Sequence, residues 1–146
     1  MTQNVNATFV KTPNNGATQI TTGTGQNTAV TVYAGGANGS KITAFIGAGL
    51  GTTGAFDVQW GTSSGGALYI YGTVSIPSSA GNNSATPSVN MFNTTNVPGL
   101  SLDSDGNPYV FLASSAWTLQ ARTTALSSAW ASSALIDLIV PSAGDF

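Results

Sequence analysis

The sequence predicts an all-β protein: an antiparallel β-sandwich or jelly-roll-like barrel, preceded by an extended N-terminal arm. Three observations carry that class. Apolar residues alternate with polar ones in short runs, as in Leu68-Tyr-Ile-Tyr-Gly-Thr-Val-Ser-Ile-Pro77, and period two is the signature of a strand with one face in a core. Seven or eight such runs recur at roughly ten-residue spacing with Gly, Asn, Asp, Ser or Pro between them, the rhythm of a sandwich or barrel. No stretch sustains the 3.6-residue period of a long helix.

Residues 1–27 are rich in Asn, Thr and Gly, with apolar side chains only at scattered places such as Val5, Phe9, Val10 and Ile20. So little apolar area offsets ordering entropy poorly. The segment is expected to be an extended arm, either disordered or ordered against a neighbouring subunit through Phe9, Val10 and Ile20. The remaining residues, 28–146, are expected to form a single β-sandwich domain.

Within that domain Val30, Val32 and Tyr33 start the first strand, which ends at Ala34-Gly-Gly-Ala-Asn-Gly-Ser40, where Asn38-Gly39 suits a tight reversal. Ile42, Ala44 and Ile46 alternate on the next strand, and Phe56, Val58 and Trp60 on the one after it. Gly61–Gly66 is expected to turn the chain into the Leu68 strand. There Leu68, Ile70, Gly72, Val74 and Ile76 are predicted to face the core, with Tyr69, Tyr71, Thr73 and Ser75 on the opposite face. Pro77 closes that strand.

Val89 to Phe92 reads equally as a helical turn or a brief strand. Asp105-Gly106, between apolar flanks, signals a hairpin leading into a strand over Tyr109–Leu112. Trp117, Leu119 and Ala121 alternate on the following strand, and Ile136, Leu138 and Val140 on the last, before the tail Gly144-Asp-Phe146. The connection Ala125–Ala134 reads as a loop carrying an exposed Trp130, although its Ala and Leu content could also sustain a helical turn.

Charge is the compositional anomaly. Apolar residues make up an ordinary 41%, but charged residues only 5%, against about 25% in typical domains. Solubility rests instead on 20 Thr, 17 Ser and 12 Asn. Three basic residues, Lys11, Lys41 and Arg122, are too few to neutralise a run of phosphates or hold an anionic lipid surface, so neither nucleic acid nor membrane is an expected partner. The start lacks a basic segment followed by an apolar one, and no apolar run is long enough to span a bilayer, so synthesis in the cytoplasm is expected.

Catalytic chemistry has little to work with. Without His or Cys, Ser-His and Cys-His nucleophile systems and thiolate or imidazole metal sites are excluded. Asp103 and Asp105 are the one carboxylate pair close in sequence, the only basis for a glycan-active enzyme, and no enzymatic activity is expected. Asp103, Asp105 and Asn107 place oxygen ligands at alternate positions, as at the start of a calcium loop, yet no bidentate carboxylate follows. The run is read as a hairpin turn, with a weak Ca²⁺ site as the alternative, and no cofactor is expected.

The scarcity of charge has a consequence for assembly. Edge strands are usually defended by Lys, Glu or Pro against pairing with other chains, and here few charges are available. Tyr69, Tyr71, Trp130 and Phe146 add aromatics outside the expected core, where interfaces are enriched in them. Together with Phe9, Val10 and Ile20 they are the candidate contact residues of an oligomer.

Ala37-Asn-Gly-Ser-Lys41, Gly72-Thr-Val-Ser-Ile-Pro77, Val97-Pro-Gly-Leu100, Leu102-Asp-Ser-Asp-Gly-Asn-Pro-Tyr109 and the closing Gly144-Asp-Phe146 together resemble the head decoration, or cement, proteins of tailed bacteriophages. The resemblance covers about residues 30–146 and rests on strand and turn signatures. It implies a homotrimer on the outer capsid surface of the virion that clamps adjacent subunits of the major capsid protein by area burial and strand addition, without catalytic residues. A fibre or tail-tip module that binds host carbohydrate is the alternative, with Trp60, Trp130 and Tyr71 stacking on sugars.

Overall fold

The computed structural model describes residues 11–51, 55–124 and 134–146. Among them ten strands form: β1 (Thr12–Thr21), β2 (Val30–Ala34), β3 (Ser40–Leu50), β4 (Phe56–Ser63), β5 (Tyr69–Ile76), β6 (Val89–Asn90), β7 (Ser101–Leu102), β8 (Pro108–Leu112), β9 (Thr118–Thr123) and β10 (Leu135–Asp145). One sheet runs β1-β10-β3-β8-β7, with β6 also paired to β3; the other runs β2-β9-β4-β5. Every strand pair is antiparallel, so the chain is an all-β antiparallel sandwich. Trp60, Phe45, Phe92, Ile42, Ile76, Leu119, Ile136 and Leu138 fill the space between the sheets, each fully buried.

The region expected to be an arm contributes a strand. β1 pairs with β10 from Thr12 opposite Asp145 to Thr21 opposite Leu135. Its order comes from the backbone ladder more than from side chains, which is why apolar counting missed it. Ile20, expected to anchor on a neighbour, is fully buried in this chain's own core. Gly16 makes the close approach of β1 to β2 feasible, since a Cβ there would lie 2.3 Å from the carbonyl oxygen of Val32. The sandwich therefore begins by Thr12, ahead of the expected boundary at residue 28.

Two bulges invert faces that simple alternation assigns. In β10, Ile139 pairs with Ile46 and Ser142 with Ala44, leaving Val140 and Pro141 opposite the single residue Phe45. A proline lacks the ladder donor, and a bulge is where a central strand tolerates one. The phase of β3 changes at the next register shift, where Ser142 pairs with Ala44 and Ala143 with Ile42, leaving Thr43 extra: Ile42 faces inward, but beyond it Phe45, Gly47 and Gly49 are the buried residues, while Ala44 and Ile46 are half-buried.

In β5, Gly72 pairs with Trp60 and Ile70 with Gly61, so Tyr71 is the extra residue. Val74 and Ile76 point into the core as expected, whereas Ile70 is 43% exposed. Tyr71, predicted on the outer face, instead packs its ring against Trp60, with centroids 5.4 Å apart. Gly61 is a strand residue and not the start of the turn, because β4 continues to Ser63. A Cβ on Gly61 would lie 1.8 Å from the carbonyl oxygen of Tyr69, so only glycine fits opposite this bulge.

Of the two readings of Val89–Phe92, the brief strand holds: β6 pairs with β3 at Gly47 and Ile46. The chain after it inserts Met91, Phe92, Val97 and Leu100 into the core. Val97 sits beneath β5, where its Cγ2 would lie 2.6 Å from a Cβ on Gly72. This segment fills the sandwich on the side of β5 and β8, opposite the side where β1 meets β2.

A candidate contact surface around the edge of β5

β8 sends Val110 and Leu112 inward, which leaves Tyr109 and Phe111 on its other face. Their rings stack edge to face with centroids 5.0 Å apart, and the Phe146 ring continues the row 5.8 Å from Phe111. Lys41, opposite Phe111 in the ladder, holds its Nζ 4.4 Å from the Tyr109 ring centroid, a cation–π contact. Between this row and β5 lies an open groove of about 430 Å³, lined mainly by Tyr71, Val97, Leu100, Tyr109 and Phe111. Among the described residues no charged side chain lines it.

Both rims are apolar and accessible. Tyr69 is 58% exposed and Tyr71 44% on one side, with Leu102 52% and Phe111 53% on the other. β5 is the last strand of its sheet, and among the described residues it makes no backbone hydrogen bond beyond the ladder with β4. It carries no charged residue. The surface is therefore a strand edge with unpaired backbone groups next to an aromatic groove, a combination suited to protein contact.

The candidate ion site has another use. One oxygen of the Asp103 carboxylate accepts from the backbone N–H of Asp105 at 2.9 Å and of Asn107 at 2.8 Å, and the other from Asn107 Nδ2 at 3.3 Å. Those bonds, the Asn107 backbone bond first among them, hold its pKa below the ordinary carboxylate range. The carboxylate thus closes a β7–β8 hairpin whose Gly106 sits at φ 83°. Among the described residues no three acidic side chains gather as a metal site would require.

A second polar cluster organises the opposite side. One oxygen of Asp145 accepts from Tyr33 Oη at 2.8 Å and from Ser40 Oγ at 2.5 Å, and the other from Asn14 Nδ2 at 3.3 Å. The Ser40 bond leads in holding the Asp145 pKa below the ordinary range. Burial, followed by the bond to Asp145, raises that of Tyr33. This one carboxylate ties β1, β2, β3 and β10 together.

Of the predicted contact residues, Tyr69 and Tyr71 are exposed at the β5 edge, Phe146 is half-buried in the aromatic row, and Ile20 belongs to the core. Phe9, Val10 and Trp130, with most of the Ala125–Ala134 connection, lie outside the described residues. Trp60, the supposed sugar platform, is fully buried. Sequence reasoning missed Leu102, Tyr109 and Phe111. The signal was present, because Tyr109 and Phe111 alternate with the inward Val110 and Leu112.

The fold and this surface define an antiparallel β-sandwich with an apolar, uncharged contact edge. Neither a protein-family model, nor a curated protein, nor a solved structure matches the chain.

Proposed function

We propose that this chain is a structural virion protein that docks on the outside of an assembled tailed-phage capsid and stabilises it by clamping adjacent major capsid subunits. The observation that carries the reading is the uncharged aromatic groove between Tyr71 and the Tyr109–Phe111 row. Full burial of each large apolar side chain contributes roughly 1.5–3 kcal/mol. A few such side chains make a weak single contact, which repetition over a symmetric shell converts into avidity.

The test is to incubate the purified protein with capsids that lack it. Saturable, symmetry-related occupancy and raised heat resistance of the shells are expected. Phe111→Ser should lose that binding while its melting temperature stays near that of the parent. Failure of the parent protein to saturate any shell refutes the proposal.

A carbohydrate-binding module is the second reading, favoured by Tyr71 and Tyr109 lining one groove. It is weakened by the burial of Trp60. Saturable binding to host-cell glycans, in place of shells, is the result that would select it.

A further inference from the structure

Among the described residues the sandwich has four sheet edges, and they differ in what they offer a partner strand. β7 is two residues long. β2 lies against β1 at the close contact of Gly16 with Val32 and Tyr33. β1 carries Pro13, a residue that blunts an edge because it has no N–H to give a partner strand. β5 offers eight residues without charge or proline, and among the described residues no backbone partner lies on its free side.

We infer that β5 is a homodimer edge: it pairs antiparallel with β5 of a second copy about a two-fold axis, which joins the two four-stranded sheets into one. Self-pairing suits this edge for three reasons. A two-fold axis normal to the sheet makes the strand antiparallel to its own copy, so each row of donors and acceptors meets its own complement. No like charges oppose one another when two copies meet here, because β5 has none. Thr73 and Ser75, both exposed on its outward face, are the hydroxyl type that pairs well across antiparallel strands.

The area is sufficient. From their fractional exposures, Tyr69, Ile70, Tyr71 and Phe111 leave roughly 400 Å² of side chain uncovered per copy. With the backbone edge and the two hydroxyl residues, pairing covers on the order of 1,000 Å² over both copies, the lower limit for a specific interface. The bulge at Tyr71 twists the first part of the strand, so the regular ladder is expected from Gly72 to Ile76, with Tyr71 flanking it. The dimer covers Tyr71 and Phe111, which the capsid reading places against the shell, so the two readings name different occupants of one surface, and the dimer needs no shell to test.

The experiment is sedimentation equilibrium of the full chain, alongside Thr73→Lys/Ser75→Lys, which puts lysines on exposed positions of the edge. The parent is expected to dimerise at about 50 µM, and the double variant to raise the dimer dissociation constant by at least about a hundredfold. Circular dichroism and melting temperature of the dissociated variant check that its fold is kept. Hydrogen exchange supplies an independent readout: amides of residues 72–76 should slow as the parent dimerises. A parent that stays monomeric, assembles as a trimer, or assembles equally well with both lysines in place overturns the inference.

Discussion

Replacing Asp145 by alanine removes the one carboxylate that joins four strands. Tyr33 Oη and Ser40 Oγ then lose their shared acceptor, and Asn14 Nδ2 loses its partner. Hydrogen bonds to a charged group are worth about 1.5–3 kcal/mol each when enclosed. Here the carboxylate is half-buried, so solvent takes back part of each. Ser40, fully buried, finds no water in exchange and carries most of the cost. A net loss of about 2–3 kcal/mol follows, which lowers the melting temperature of a chain this size by roughly 6–10 °C. Asp145→Asn keeps the oxygen that serves Tyr33 and Ser40, and should lose about 1 kcal/mol.

The same carboxylate sets a pH signature. Its folded pKa lies below the unfolded one, so its stabilisation is complete above about pH 4 and is lost as the pH falls through the folded value. The folded pKa of Tyr33 lies above the unfolded one, so its share is complete below about pH 10 and is lost as the pH rises through the folded value. Urea titrations from pH 2 to 11 should give a plateau between, with Asp145→Ala flattening the acid limb. An Asp145→Ala protein within about 0.5 kcal/mol of the parent, the scatter of neutral surface changes, would refute the assignment.

Gly61→Ala should cost more than 3 kcal/mol or prevent folding, because its Cβ would meet the Tyr69 carbonyl oxygen; chemical denaturation reads this, and a mild effect would mean the bulge can shift. Asp103→Ala should lose about 1 kcal/mol through the hairpin, and calcium chloride should leave the parent's melting curve unmoved; a rise with Ca²⁺ would restore the ion reading. Tyr71→Ala should lower fold stability by about 1–2 kcal/mol, since half of its ring covers Trp60, and should weaken assembly as well. Trp60→Phe should cost less than a typical core truncation, because the buried indole N–H has no hydrogen-bond partner among the described residues and its removal recovers part of that penalty.

Local chemistry was legible in the sequence. Alternation in Phe56-Asp-Val-Gln-Trp60 and in Leu119-Gln-Ala121, and the Asp105-Gly106 turn, each depend on neighbours within a few residues, so the strands and hairpin they predict are found. Tyr69 was likewise readable as an exposed aromatic, whereas the packing of Tyr71 on Trp60 and the position of its strand at a sheet edge were not. What depends on partners far along the chain was not readable. β1 is a strand because β10, more than a hundred residues away, supplies its ladder. The register shifts at Tyr71 in β5 and Thr43 in β3 exist only as mismatches between two strands, yet they decide which of the neighbouring residues face the core. Asp145 looked like part of a loose tail until the fold brought Tyr33, Ser40 and Asn14 to it.

The sequence by itself determined the all-β class, most strand positions and an almost uncharged surface, because composition and period are properties of the chain alone. Only the tertiary structure decided the registers, the inverted faces, and the place of β5 at the edge of its sheet. Pairing and packing between distant segments are not written in any single stretch.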